Sequence, residues 1–168
     1  LIFVDSHIND VRGDKHSLIK SLFIDDEQVL WIGTHHFGLY TLDLKQPVKQ
    51  GESPTIKLES LVNNESLNTI TKDVQGRPWV GTEKGLYYQN QLSGKFVKHL
   101  QAIENAKFDN NKIWSLYPDD GGVLWLGSFV GLMKWNTRTT QFEHYFKDAL
   151  QGGELSDNNI TAIAVSLQ

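Results

Sequence analysis

Residues 30–34 read Leu-Trp-Ile-Gly-Thr, and close copies of this phrase stand at residues 79–82 (Trp-Val-Gly-Thr) and 124–128 (Leu-Trp-Leu-Gly-Ser). The three tryptophans lie 48 and then 46 residues apart. A period in this range is typical of β-propellers, in which small antiparallel sheets, the blades, repeat around an axis. The repeated phrase therefore predicts an all-β chain that is built from blades.

The sequence around the three tryptophans repeats as well. Counted from the Trp, each copy has an apolar residue twelve positions before, a Ser or Thr ten before, an Asp six before and a Gly two after, followed by a Gly-Leu pair. In that order the residues are Ile19, Leu67 and Ile113; Ser21, Thr69 and Ser115; Asp25, Asp73 and Asp119; Gly33, Gly81 and Gly127; Gly38, Gly85 and Gly131. This agreement indicates one structural unit, used three times.

Each copy predicts four short strands that are separated by turn residues. We expect the first strands at 19–24, 67–72 and 113–117, and the fourth strands at 56–61, 96–100 and 142–146. The second strand is the Trp phrase, and the third runs from the Gly-Leu pair to an Asp or Asn. The Gly after the Trp suits a close approach of two backbones, and the Gly before the Leu suits a turn with positive φ.

Both ends of the chain read as parts of further units. Residues 159–163 match the opening strand of a fourth copy, and Leu1–Val4 reads as the last strand of a preceding one. We expect three whole blades at about 17–61, 65–100 and 110–146, with partial blades at both ends (155–168 at the second). Residues 1–168 are thus predicted to form part of a propeller, because propellers usually close with four to eight blades. Open blade edges invite pairing, which predicts self-association.

Composition narrows the classes of partner. The net charge is −4, from 16 basic and 20 acidic residues, and the absence of a basic patch disfavours nucleic acid. Cysteine is absent, which excludes disulfides and thiol chemistry. No run of eighteen apolar residues occurs, so no membrane span is expected within these residues.

The copies resemble two-component regulator propeller repeats. The family phrase contains Leu-Ser-x-Asn-x-Ile and Asp-x-x-Gly-x-Leu-Trp-Ile-Gly-Thr; here residues 155–160 read Leu-Ser-Asp-Asn-Asn-Ile, and residues 119–125 read Asp-Asp-Gly-Gly-Val-Leu-Trp. The resemblance extends from about residue 17 onward, with mild departures such as Ser128 in place of Thr. It implies a ligand-sensing, signal-transmitting module in the periplasmic part of a bacterial sensor. A membrane span and a histidine kinase or diguanylate cyclase would follow, so any such activity would lie outside this chain.

Two other functions remain open at this point: a non-catalytic interaction or dimerisation propeller, and a propeller lyase or hydrolase. No Ser-His-Asp order, phosphate-binding glycine loop or metal-ligand cluster stands out. An enzyme would therefore rest on fold analogy alone. We expect no catalytic residue, no metal and no cofactor.

The repeated side chains are interpreted as scaffold. Trp31, Trp79 and Trp125 are expected to pack blade against blade, because a buried indole stabilises by its large apolar area. The three repeated Asp residues are expected to cap turns, since equivalent positions in a ring lie too far apart to share one catalytic task.

Candidate binding residues lie where the copies differ. The position eleven before the Trp varies on the predicted innermost strand, and the loops between second and third strands vary at one mouth of the propeller. The candidates are Lys20, His35, His36, Phe37, Asn68, Glu83, Lys84, Trp114 and Phe129. The alternatives are a solvated loop for the polar residues and a channel filler for Trp114. The ligand expected here is a small molecule, an oligosaccharide or a peptide.

Overall fold

Short antiparallel strands make up the blades. The computed structural model describes residues 18–46, 55–59, 65–99, 112–147 and 155–165. Within these ranges it contains three four-stranded sheets and no helix. The first blade comprises β1 (Ile19–Ile24), β2 (Val29–Thr34), β3 (Leu39–Asp43) and β4 (Ile56–Glu59). The second blade comprises β5 (Leu67–Lys72), β6 (Pro78–Thr82), β7 (Gly85–Gln89) and β8 (Phe96–Lys98). The third blade comprises β9 (Ile113–Pro118), β10 (Val123–Ser128), β11 (Gly131–Asn136) and β12 (Phe142–Tyr145).

The prediction of all-β blades is confirmed. In every sheet the strands pair in sequence order, so each blade is a simple meander. The fourth strand of the third blade ends at Tyr145, one residue before the predicted end. The predicted ends of the other two fourth strands, at residues 61 and 100, fall outside the described residues.

Two hydrophobic cores lie between blades rather than within them. Inner strands β1, β5 and β9 lie side by side, and β5 and β9 each also contact the Trp strand of the preceding blade. The first core contains Trp31, Leu39, Leu67, Ile70, Val80, Tyr87 and Phe96; the second contains Trp79, Leu86, Ile113, Leu124, Leu126, Met133 and Trp135. Each blade therefore needs its neighbour to bury its apolar face.

The glycine after each Trp allows this packing. A Cβ at Gly81 would lie 2.6 Å from Thr69 Cγ2 and 2.7 Å from Ile113 Cγ2, in the next blade. A Cβ at Gly127 would lie 2.6 Å from the carbonyl oxygen of Ile160. The predicted close approach is confirmed: the inner strand of one blade occupies the space that a side chain would need.

The predicted scaffold role is confirmed for two of the three tryptophans. Trp79 is fully buried and Trp31 nearly so, each under the following blade. Trp125 is only half-buried and belongs to neither core; its ring stacks on Tyr145.

The repeated Asp residues cap turns as predicted, and in the first two blades the Asp also binds the indole of the Trp. Asp25 Oδ1 accepts the N–H of Val29 at 2.9 Å, while Asp25 Oδ2 accepts the indole N–H of Trp31 at 2.8 Å. Asp73 binds the Trp79 indole at the same distance. A cation completes each site: Lys72 of the second blade lies 2.6 Å from Asp25, and Arg77 lies 3.0 Å from Asp73. The Asp25–Lys72 ion pair therefore joins the first blade to the second.

The partial blades differ from the whole ones. Residues 155–165 form no assigned strand, yet the N–H of Ile160 donates to the carbonyl of Ser128 at 2.9 Å. Ile160 thus takes the position against the third blade that Leu67 and Ile113 take against the first and second. Leu1–Val4 lies outside the described residues, and its assignment to the last strand of a preceding blade stays a prediction.

Candidate functional site

Each inner strand carries a β-bulge near its start. In the first blade Ile19 pairs with Thr34 and Ser21 with Gly33, so one residue between them is extra. The same shift recurs in the pairing of β5 with β6 and of β9 with β10. The extra residues of the three bulges are Lys20, Asn68 and Trp114. The bulge therefore falls at a position of the inner strand that varies in sequence, and a bulge redirects the side chain that it carries.

The turns that carry the other candidates are fixed by a buried hydroxyl. The Thr82 hydroxyl lies 3.0 Å from the carbonyl of Gly85 and accepts the N–H of Lys84 at 3.0 Å. Thr34 and Ser128 make the equivalent bonds in the other blades, and all three residues have no exposed surface. Ser128 keeps the hydroxyl that this turn requires, which explains why the departure from Thr is harmless.

These turns lie at the same end of the blades as the start of the inner strands. The N–H of Glu83 donates to the carbonyl of Ser66 at 3.2 Å, and Phe129 and His35 make the same kind of bond to the residue before β9 and β1. Turn and bulge are therefore neighbours in each blade, as the predicted mouth requires.

Side chains of both blades make contacts where the second blade touches the third. Lys112 Nζ lies 3.3 Å from Glu83 Oε2 and 5.5 Å from the centre of the Trp114 ring. Asn68 Nδ2 donates to the carbonyl of Ile113 at 3.2 Å. We call Asn68, Glu83, Lys112 and Trp114 the boundary cluster. Two of its members come from each blade, so anything that binds to it contacts both.

The boundary cluster contains a hydrogen-bond donor and an acceptor with no partner. Trp114 Nε1 and Asn68 Oδ1 are both shielded from solvent, and neither has a hydrogen-bond partner among the described residues. An unpaired buried polar atom costs about 1–3 kcal/mol. Ser21 Oγ, Ser66 Oγ, Ser115 Oγ and Trp135 Nε1 are in the same state. Ser21 and Ser115 directly follow the bulge residues Lys20 and Trp114.

A buried carboxylate stands beside the cluster, and the sequence analysis did not select it. Glu65 Oε1 accepts the Tyr87 hydroxyl at 2.9 Å, and Oε2 lies 3.0 Å from the Thr82 hydroxyl. Lys84 Nζ lies 3.8 Å from Glu65 Oε1. Burial, and then the hydrogen bond to Glu65, raise the pKa of Tyr87 far above its usual value. The candidate Lys84 is thus paired with Glu65, whose role is visible in the structure because its carboxylate is buried.

Of the remaining candidates, Phe129 touches the boundary cluster through its backbone bond to Lys112, and the others lie in the first blade. His35 and His36 lie ring to ring, with centroids 3.7 Å apart, in the turn of the first blade, while Phe37 bonds only that turn. Phe129 is 62% exposed, and Lys20 is exposed in the first blade. Among the described residues no group of three His, Cys, Asp or Glu side chains is placed to hold a metal ion.

The repeat also decides the relationship of the chain to known proteins. Residues 107–129, which include the bulge and the Trp phrase of the third blade, match the family model of the two component regulator propeller. This stretch of the third blade is thus similar to a two-component regulator propeller repeat. A search of curated proteins gives no match.

Solved structures share the architecture of this regulator propeller. The extracellular domain assigned to the hybrid two component system BT4673 from B. thetaiotaomicron superposes with a TM-score of 0.67 at 23% identity, covering 94% of this chain and 20% of that one. The corresponding domain of BT3049 gives 0.61 at 22%, covering 87% and 17%. PorZ, a surface component of the type-IX secretion system of Porphyromonas gingivalis, gives 0.60 at 22%, covering 81% and 20%. These likenesses establish the fold, and this regulator propeller spans about 20% of the length of the first of these chains.

No helix in the described part of the regulator propeller is long and apolar enough to cross a membrane.

Proposed function

We propose that this chain is part of the extracytoplasmic, ligand-sensing propeller of a bacterial signalling protein, and that it is not itself an enzyme. The repeat family supports this proposal, as do two similar structures that are described as extracellular domains of hybrid two component systems. The observation that carries it is the placement of the variable residues at bulges of an otherwise repeated frame.

The blade boundary supplies a physical route for a signal. A ligand at the boundary cluster would contact Asn68 from one blade and Trp114 from the next. The same two blades are joined by the Lys112–Glu83 ion pair and by the second hydrophobic core. A ligand shifts an equilibrium only by its difference in affinity for two arrangements. A site that spans two blades can have such a difference, because it senses their relative position.

The reading frame around this chain tests the sensor proposal. We expect a segment of about twenty apolar residues, and beyond it the motifs of a histidine kinase or a diguanylate cyclase. A frame that encodes neither would refute the proposal, whatever the propeller binds.

An interaction propeller is the second candidate, and one observation favours it. Ile19 is 37% exposed and Leu22 is 61% exposed, whereas their equivalents in the second blade, Leu67 and Ile70, are buried. The first blade thus presents an apolar face of the kind that another blade covers elsewhere in the chain. The concentration dependence of the oligomeric state tests this candidate, as detailed below.

A further inference from the structure

The turn between β9 and β10 contains a reactive pair of residues that the equivalent turns lack. Asp120 is followed by Gly121, whereas residues 26–27 of the first blade read Asp-Glu and residues 74–75 of the second read Val-Gln. An aspartate followed by glycine can rearrange without an enzyme, because the missing side chain lets the glycine nitrogen approach the side-chain carboxyl carbon. Asp120 and Gly121 are both exposed to solvent.

The backbone N–H of Gly121 is not bonded as its equivalents are. In the first two blades the N–H at this position donates to the capping Asp, at 3.0 Å in each case. In the third blade Asp119 Oδ1 accepts the N–H of Val123 at 2.9 Å, and no hydrogen bond to the N–H of Gly121 or to the Asp120 carboxylate occurs among the described residues. The attacking nitrogen and the carboxyl group that it would attack are therefore both available.

The turn of the third blade is also held by fewer bonds than the other two. Asp25 and Asp73 each bind the Trp indole and a cation through Oδ2, whereas Asp119 makes no such bond in the described part of the chain. Gly121 and Gly122 then follow each other, so the backbone can rotate at little steric cost. The turn can thus open locally to the geometry that ring closure needs, while the sheet stays folded.

We propose that Asp120 is a site of spontaneous modification, at which the folded chain converts aspartate into β-linked isoaspartate. The nitrogen of Gly121 attacks the side-chain carboxyl carbon of Asp120; a C–N bond forms, a C–O bond breaks, and the amide proton leaves with the hydroxyl group as one water. The five-membered succinimide then takes up one water at its main-chain carbonyl, which leaves the chain connected through the side-chain carbon. The product has the same composition as the starting aspartate, and no oxidant, cofactor or other protein takes part.

The rearrangement adds one methylene carbon to the backbone of this turn. The carbonyl of Gly122 accepts both the N–H of Thr137, at 3.0 Å, and the Thr137 hydroxyl, at 2.9 Å, and so joins the turn to the one between β11 and β12. We expect the longer backbone to weaken this connection. The modification would therefore loosen the third blade at the end opposite the turn that carries Phe129.

Incubation of the whole chain in ¹⁸O-labelled water tests the site, because each passage through the succinimide introduces one ¹⁸O atom. After digestion, mass spectrometry with electron-transfer fragmentation locates the label and distinguishes isoaspartate from aspartate. We expect label and isoaspartate at Asp120. Asp26, the equivalent exposed aspartate of the first blade, is the internal control and should acquire neither over the same period.

Two variants separate the effect of the turn from that of the dipeptide. Gly121→Ala adds a Cβ that would meet only Asp119, whose Oδ1 would lie 3.1 Å away, so the fold is kept. This variant should slow the labelling of Asp120 about tenfold, because the added carbon hinders ring closure. Glu27→Gly creates the same dipeptide in the first blade, where the capping Asp still binds the amide, and labelling of Asp26 should remain about fivefold slower than that of Asp120.

The inference would be overturned by the absence of label at Asp120 after a month, by equal labelling of Asp26 in the wild-type chain, or by an unchanged rate in Gly121→Ala. It would also be overturned if Asp26 in the Glu27→Gly variant reacted as fast as Asp120. That result would show that the dipeptide alone, and not the free amide of this turn, decides the reactivity.

Discussion

At the scale of single residues, the glycine after each Trp has the sharpest steric role. We expect Gly81→Ala to destabilise the fold by about 1–3 kcal/mol, because its Cβ would overlap both its own inner strand and that of the next blade. The midpoint of urea unfolding measures this loss. Gly76→Asn is the control: that glycine has a φ of 73° with nothing within 4 Å, and Asn tolerates this conformation. Equal loss in both variants would show that general backbone effects, rather than blade packing, account for the repeated glycine.

Asp25 makes the stability of the boundary between the first and second blades depend on pH. Burial alone would raise the pKa of Asp25, but hydrogen bonds from Lys72, Trp31 and Val29 outweigh it and hold the pKa below the usual 3.8. A lowered pKa means that the stabilisation is present above pH 3.8 and is lost as pH falls through the lower folded-state value.

We therefore expect Asp25→Asn to lower the free energy of unfolding by about 2 kcal/mol at pH 7, and to reduce the further loss of stability on acidification below pH 4. Chemical denaturation at a series of pH values measures both effects. Asp26→Asn, at the exposed neighbouring residue, is the matched control and should retain the wild-type profile. If the two variants had the same stability at every pH, the Asp25–Lys72 ion pair would not contribute to the loss of stability below pH 4.

At the scale of elements, the turn between the second and third strands of the second blade depends on one hydroxyl. Thr82→Val keeps the shape but removes the bonds to Gly85, Lys84 and Glu65. We expect a loss of about 1–3 kcal/mol and faster amide hydrogen exchange in the turn that carries Glu83. Thr82→Ser should restore both, since Ser128 serves in the third blade. If Thr82→Ser did not restore the stability and the slow exchange, the methyl group of Thr82, and not its hydroxyl, would stabilise the turn.

The same scale shows what the sequence could and could not predict. The period placed the strands, and the Gly-Leu pair placed turns whose glycines have the expected positive φ, between 92° and 131°. The sequence repeat could not reveal the bulges, because a shift of register is a relation between two paired strands. The only sign of them in the sequence was that the bulge residues, Lys20, Asn68 and Trp114, differ between the copies. Lys72 and Glu65 were missed for a related reason. Each acts on a partner in another strand or blade, and neither recurs in the other copies.

At the scale of the whole molecule, we expect the exposed apolar residues of the first blade to promote association. We expect the chain to self-associate as its concentration rises, and Leu22→Asp to suppress this by placing a charge on the apolar face. Sedimentation velocity at several concentrations measures the effect. Leu92→Asp is the control, because Leu92 is 100% exposed in a turn of the second blade. A wild-type chain that stays monomeric, or an equal effect of both variants, would contradict the role of this face.

The contact between Ile160 and Gly127 has a consequence for the order of synthesis. The inner strand is the first part of each repeat to leave the ribosome, and its binding place on the preceding blade is complete before the rest of its own sheet exists. Ile160 occupies this place on the third blade. We therefore expect each blade to fold against the one before it, so that the blades form in the order in which they are synthesised.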